Sequence, residues 1–476
     1  MNVSVNIFHG RERRDDGFFI KDRNFYKKVL AIAIPMAMQN LINVGVSLLD
    51  TVMLGQLGEV AMSASSLAGQ LNFTYMIMNL GLTAGAGVLT GQYWGRGDTA
   101  SIRKVMTMTY KVAMAFAAVF TVAAFFIPSQ LMTIFTKDAE VIASGAVYVR
   151  IMAFSYFISG FTMTSFNLLR TVGTVKISMY TYGASFFVNV FFNYALIFGH
   201  FGMPQMGIAG AALATLIARF AEFAIAFVFM FRYEHKIGFK FIEMSAKIDR
   251  DILALYMKHG APVLCNEVLW SLGSSMLSVI MGHMSKEFVA ANSICSVVFQ
   301  CTSVITQGMS AAASVLAGNT IGEGRYRLAK QQSLTIFVIS IFLGVISCGI
   351  TLAVSEPFVS LYNITPQTEA IAMELLAVMA VLTIFQTISG INMFGTLRGG
   401  GDSRYVLFFD VSSMWLFSVP LGWLSGLVLG WPVWIVCVCL RSGDIFKCFG
   451  AIGRIMSGKW IKDVTRTEKQ IEELKG

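Results

Sequence analysis

Charge is what this chain is short of. Only 13% of its 476 residues are Asp, Glu, Lys or Arg, against about 25% in an ordinary soluble domain. Groups that carry enzyme chemistry are scarce as well. The five histidines (His9, His200, His235, His259, His283) fall in a tail, in loops or at span ends, none at ligand spacing from a cysteine or an acid. All seven cysteines (Cys265, Cys295, Cys301, Cys348, Cys437, Cys439, Cys448) lie in the second half, inside or beside apolar runs. They lack metal-ligand spacing and read as small buried hydrophobes. No serine sits in a nucleophile motif. These absences argue against an enzyme and against a resident metal or cofactor. A signal peptide is not expected either: "RERRDD" and "KDRNFYKK" precede the first apolar run, and no small-residue cleavage site follows it.

What is present instead is apolar sequence in long runs, such as 112–128, 186–198 and 336–354. With their flanks these suffice for the roughly 20-residue crossing of a bilayer. The reading is an all-α integral membrane protein with twelve helices, near 29–54, 62–90, 105–127, 141–168, 176–199, 206–231, 252–281, 288–317, 331–354, 367–395, 404–429 and 432–452. The formal charge of +9 raises the question of a nucleic-acid partner, but the bases collect at one set of span ends, so none is expected. "GRGDTASIRK", "RTVGTVK", "GEGRYRLAK", "RGGGDSR" and both tails share one side. The opposite loops hold only Lys137 and Lys286. This bias predicts cytoplasmic termini in a plasma-membrane protein whose standing partner is the lipid bilayer.

The chain also repeats itself. "IPMAMQN" through "GQYWGRGD" superimposes on "APVLCNE" through "GNTIGEGR" with a constant offset of 227 residues. Pro35 falls on Pro262, Gly81 on Gly308, Gly91 on Gly318, Gly95 on Gly322 and Gly97 on Gly324. Arg170 meets Arg398 at an offset of 228. Six helices per copy is an even number, so both copies insert the same way round. A parallel repeat implies a pseudo-two-fold axis along the membrane normal and a substrate path between the halves. The expected organisation is a tail at 1–28, a first lobe at 29–231, a linker at 232–251, a second lobe at 252–452 and a tail from 453 to 476, around a central cavity. "GQYWGRGD" lacks the Lys-Ser/Thr and the preceding strand of a phosphate loop, so it reads as a helix end and turn.

Five stretches in order resemble the multidrug and toxic compound extrusion (MATE) family: "IPMAMQNLINVGVSLLDTVMLGQLG", "GAGVLTGQYWGRGD", "FVNVFFNYALIFG", "GIAGAALAT" and "LRGGGDSR". The resemblance covers roughly residues 25–455. It implies a V-shaped pair of six-helix lobes that exports amphiphilic cations in exchange for inward Na+ or H+.

An ionisable group inside a span costs about 2.5–3.5 kcal/mol on insertion scales, so each is a functional candidate. Asp50 lies about 20 residues into the first helix, about 30 Å from its start by helix rise. Asn189 and Asn193, four apart on one face of the fifth helix, reach similar depth, as does Thr215 on the sixth. A carboxylate, two amide carbonyls and a hydroxyl suit a hard cation held transiently, or a pocket that tunes Asp50 for proton release. The resemblance assigns the coupling cation to Asp50 and to the asparagine pair. The bland alternative is that both asparagines only bond neighbouring helices.

Glu267, mid-way along the seventh helix, is expected to open on the cavity and bind a cationic substrate or the ion, with Asn266 and Gln39 beside it. The alternative is a buried ion pair. The tenth helix has no aspartate, a departure from some family members. Arg219 with Glu222, and Arg441 with Asp444, read as structural i,i+3 pairs. Asp410 reads equally as a cavity or a structural group, and Arg150 as an unpaired base. Pro35 and Pro262 are candidate hinges. A flippase for lipid-linked oligosaccharide or peptidoglycan precursors is the rival function. Such a cavity needs several bases to hold pyrophosphate, and the spans offer more acids. A monomer is expected.

Overall fold

A computed structural model describes residues 19–362 and 364–466. The first eighteen residues, including "RERRDD" and His9, and residues 467–476 of the C-terminal tail lie outside these. Every regular element among the described residues is helical. In the first half these are α1 (Arg23–Gly55), α2 (Glu59–Arg96), α3 (Thr99–Phe126), the short α4 (Pro128–Thr133), α5 (Ala139–Thr171), α6 (Lys176–Phe198) and α7 (Ile208–Val228). A π turn, Phe229–Tyr233, ends α7. The second half holds α8 (Arg250–His259), α9 (Ala261–Gly282), α10 (Lys286–Gly322), α11 (Tyr326–Val359), α12 (Pro366–Ser389), α13 (Ser403–Ser412), α14 (Val419–Trp423), α15 (Val433–Leu440) and α16 (Ser442–Ser457).

Local chemistry sets many of the ends. The carboxylates of Asp22, Asp98 and Asp138 accept first-turn amides of α1, α3 and α5, and Ser285 and Thr365 do the same for α10 and α12. Such caps satisfy donors that have no partner within the helix. Eleven helices among the described residues are long and apolar enough to cross a membrane. The expected twelfth is split at Arg441 into α15 and α16, so neither piece qualifies by itself. The expected seventh is split at Gly260 into α8 and α9. Three π segments, Gly390–Leu397, Ser413–Ser418 and Leu424–Val428, also interrupt the second lobe without a counterpart in the sequence reading.

The two candidate hinges differ. Pro262 sits in the first turn of α9, where a proline removes no helical hydrogen bond. Pro35 is buried inside α1, which runs through it as one helix.

"GQYWGRGD" also departs from expectation. α2 continues to Arg96, so Gly91 and Gly95 are inside the helix, and only Gly97, with φ +78°, makes the turn. The other two glycines serve close approach. A Cβ on Gly95 would overlap the carbonyl oxygen of Asn319 on α10, and one on Gly322 would overlap the carbonyl of Gln92 on α2. The carbonyls of Gly91 and Thr171 lie 2.9 and 3.2 Å from the end of the Asn319 side chain, which assigns its amide nitrogen to that side as their donor. The glycines of each copy therefore let the repeats cross backbone to backbone.

The seam between lobes is tight near the end that carries the loop bases. There Met36 and Val29 of α1 pack against Met309, Ala312 and Val315 of α10, and Gly85 meets the backbone of Gly260. Toward the opposite end the same helices part. α2 is buried along Leu82, Ala86, Leu89 and Tyr93 but exposes Ser63, Ser66, Gln70 and Thr74. α10 likewise exposes Ser293, Gln300 and Gln307, and α1 exposes Asn43, Ser47 and Thr51 at four-residue intervals. Rows of exposed polar side chains on membrane-length helices mark a wet cleft. Hydroxyls such as those of Thr51, Thr74 and Ser293 turn back to carbonyls of their own helix, but exposed amides such as Gln70 and Gln300 carry more donors and acceptors than lipid can satisfy. The lobes thus form a V, closed at the basic end.

Candidate functional site

The first lobe holds two facing polar ladders. Ser185, Asn189 and Asn193 follow one another at four-residue steps on α6, and Thr215, Arg219 and Glu222 at steps of four and three on α7. Both spacings place the groups on a single helix face. The rungs connect across the gap: Ser185 Oγ donates to Glu222 (2.6 Å), and Asn189 Nδ2 donates to Thr215 Oγ1 (3.4 Å). At the top Asn193 Nδ2 donates to Asn189 Oδ1 (3.0 Å) and to Asp50 Oδ1 (2.5 Å). The four residues expected to act together are therefore one hydrogen-bonded chain, drawn from α1, α6 and α7.

Burial gives the chain its chemical character. Asn193 is 0% exposed and Asn189 2%, and the described residues supply no donor to the Asn193 carbonyl oxygen. A carboxylate beside an orphaned amide oxygen offers negative charge and lone pairs. A hard monovalent cation, or a proton on Asp50, would balance that arrangement. Arg219 is within electrostatic reach of Asp50 but spends itself on Glu222, with contacts of 2.9 and 3.0 Å. The i,i+3 pair read from sequence is present, and it caps the lower end of the same ladder. Ser185 and Tyr148, the latter near Thr215 and Asp50, were missed. The four-residue register of Ser185 with Asn189 was the available signal for the first; nothing in the sequence marked the second.

The second lobe is built differently. Glu267 is not open to the cleft: its carboxylate pairs with Arg398 at 2.8 Å, with both side chains nearly buried and Gly81 of α2 packed against its Cγ. Asn266 is 1% exposed and points into the lobe, donating to Asp410 (3.1 Å). Asp410 is itself buried and pairs with Lys447 (3.1 Å), which also holds Asp444 (2.9 Å). The expected pair of Arg441 with Asp444 does not form. The helix breaks at Arg441, so the two no longer share a helix face, and the guanidinium lies over the Phe299 ring (4.2 Å). Gln39 is half-buried on α1, its carbonyl oxygen without a partner. Arg150 is exposed. Arg170, near Arg398, is a second span base for which the described residues supply no carboxylate.

Comparison with known proteins places this architecture. The MatE family model matches the chain twice, over residues 35–195 and 262–424, one match per repeat. The chain belongs to the MATE family. Among relatives, a probable multidrug resistance protein NorM of Agrobacterium fabrum is 27% identical over 83% of this chain and 86% of its own length. A NorM of Thermotoga maritima is 25% identical over 94% and 96%. Among solved structures, a mutant of the Vibrio cholerae MATE transporter VcmN aligns with a TM-score of 0.83 at 16% identity, covering 93% of this chain and 98% of that one. A MATE multidrug transporter described in its outward-facing conformation aligns at 0.81 and 16%, covering 95% and 97%. The MATE fold is shared along nearly the whole chain, and the expected pair of parallel six-helix lobes is present.

Proposed function

We propose that this protein is an antiporter that exports amphiphilic, mostly cationic small molecules across the plasma membrane, driven by inward Na+ or H+, with both termini in the cytoplasm. The observation that carries the reading is the chain from half-buried Asp50 through the buried Asn193 and Asn189 to half-buried Thr215. A coupling site must bind a cation from one side and release it to the other. An intramembrane carboxylate with an orphaned amide oxygen beside it has the charge and the free lone pairs for that task. Kinship with multidrug resistance proteins supports drug export. A seam closed at the basic end and a polar cleft at the other agree with one end-state of alternating access between the two repeats.

Precursor flipping is disfavoured. A pyrophosphate headgroup calls for several convergent bases, whereas Arg398 is engaged by Glu267 and Lys447 by Asp410 and Asp444, which leaves Arg170 beside Arg398 as a single base rather than a cluster. The test is purified protein in liposomes loaded with an ethidium-type dye, with sodium and proton gradients imposed separately. Dye movement under one or both gradients is the expected result. Movement of an undecaprenyl-pyrophosphate lipid with no dye movement would overturn the reading.

A further inference from the structure

The segment after α16 takes no part in the site described above, yet it is held in place by both lobes. Trp460 is 0% exposed and belongs to the apolar core of the second lobe, with Leu397, Val406 and Ile455. Four residues later Val464 is buried in the core of the first lobe, with Tyr93, Ile102 and Val105. We propose that residues 459–466 form a strap that latches the two lobes together at the basic end, and that its release from the first lobe is a required step before that end can open.

The anchoring to the second lobe is ionic. Lys462 and Arg454 both reach the fully buried Asp402, at 2.5 and 2.7 Å, and the Lys462 amide donates to Gly400 (2.9 Å). Tyr326 donates to Asp463 (3.0 Å), and Arg466 joins Asp463 (2.5 Å) to the carbonyl of Gly322 (2.7 Å). The grip on the first lobe is of another kind. Gln92 of α2, itself 0% exposed, acts as a strand partner for the strap. Its Nε2 donates to the Lys462 carbonyl (2.9 Å), and its Oε1 accepts the Val464 amide (2.8 Å). Arg96 adds one bond to the Thr465 carbonyl (2.9 Å).

The difference between the two sets decides which one yields. Pulling the strap from the second lobe strips the buried Asp402 carboxylate of Lys462, leaving it only Arg454 of α16, and lifts Trp460 out of the apolar core, which is costly. Pulling it from the first breaks three neutral or singly charged hydrogen bonds and exposes one valine. Each such bond is worth only about fivefold in an equilibrium, so this is the reversible side. Gln92 and Gly322 also flank the α2–α10 crossing, where the seam is tightest. The strap therefore bears on the place that must separate for the basic end to open.

Hydrogen–deuterium exchange on the full-length protein in lipid tests the strap directly. Gln92→Leu keeps the volume of the side chain but removes both of its bonds. It is expected to speed exchange in 459–466, and in the helix ends 91–97 and 318–324, by about tenfold or more. Truncation after Ser457 should do the same at the helix ends, and truncation after Arg466 should leave the wild-type pattern. Wild-type exchange at 91–97 and 318–324 in Gln92→Leu would overturn the proposal, as would a strap that exchanges like free chain in the wild type. The consequence for transport rests on the alternating-access reading. Exchange reports the strap even in a preparation that moves no dye, so the two ideas fail separately.

Discussion

A single side chain carries most of the argument for ion coupling. Among the described residues Asp50 is the one acid of the first lobe that sits deep in a span without a base of its own, since Glu222 is taken by Arg219. Asp50→Asn keeps the size and the bond to Asn193 but removes the charge that must alternately hold and give up a cation. Neutralising a buried charge is tolerated more often than creating one, so the variant should fold and insert. It is expected to lose gradient-driven dye efflux in liposomes by a factor of roughly a hundred or more, as for removal of an essential acid–base group. Wild-type efflux in both gradients would remove Asp50 from the mechanism. How far residues could be read from sequence follows from distance along the chain. Asp50, Asn189, Asn193 and Thr215 were legible because helix rise fixes depth and a four-residue step fixes the face. Arg219 with Glu222 was legible because an i,i+3 pair is local. Arg398 with Glu267 and Lys447 with Asp410 were not, because each joins helices far apart in sequence whose relative rotation no periodicity encodes.

At the scale of helices, the repeat was plain while the manner in which its copies meet was not. The offset of 227 aligned Gly95 with Gly322, but position alone does not separate a turn glycine from a packing glycine. Gly97 makes the turn, with φ +78°, while Gly95 and Gly322 allow α2 and α10 to touch backbone to backbone. This gives a contrast that can be measured. Gly97→Ala strains one left-handed residue, at about 1–2 kcal/mol, and leaves the seam alone. Gly95→Ala drives a methyl into the Asn319 backbone, which cannot swing aside as a side chain would. Overpacking of this kind costs about 1–3 kcal/mol and falls on the closed form of the seam in particular. Gly95→Ala is therefore expected to raise amide exchange at 318–324 on the partner lobe, and Gly97→Ala is not. Equal exchange in the two variants would mean that the crossing does not hold the basic end shut. The three π segments left no comparable trace, because the apolar runs continue through them, whereas the breaks at Gly260 and Arg441 fall at "KHGAP" and "RSGD", where glycine, proline or charge interrupts the run.

For the molecule as a whole, hydropathy and the charge pattern bear on orientation as well as on fold. The loops at the closed end of the V carry nearly all the loop bases, and the linker is folded onto that end rather than trailing from it. Lys104 pairs with Asp249 (2.8 Å), Arg103 lies 3.6 Å from Glu243, and Thr107 donates to the Glu243 carbonyl (3.0 Å). Bases near span ends are retained on the cytoplasmic side during insertion and then face the anionic inner leaflet. The closed end should therefore be the cytoplasmic one, with the cleft opening outward. A chain inserted the other way would have to carry this cluster of Lys and Arg across the bilayer. Lys247 is exposed on the linker, so a cysteine there is open to a reagent on its own side of the membrane and reports sidedness. In a background whose seven native cysteines are replaced, Lys247→Cys should resist a membrane-impermeant maleimide in intact cells and react once the membrane is opened or the vesicles are everted. Labelling from outside intact cells would invert the molecule. It would make the polar cleft face the cytoplasm, and the direction of export would then need a different end-state from the one described here.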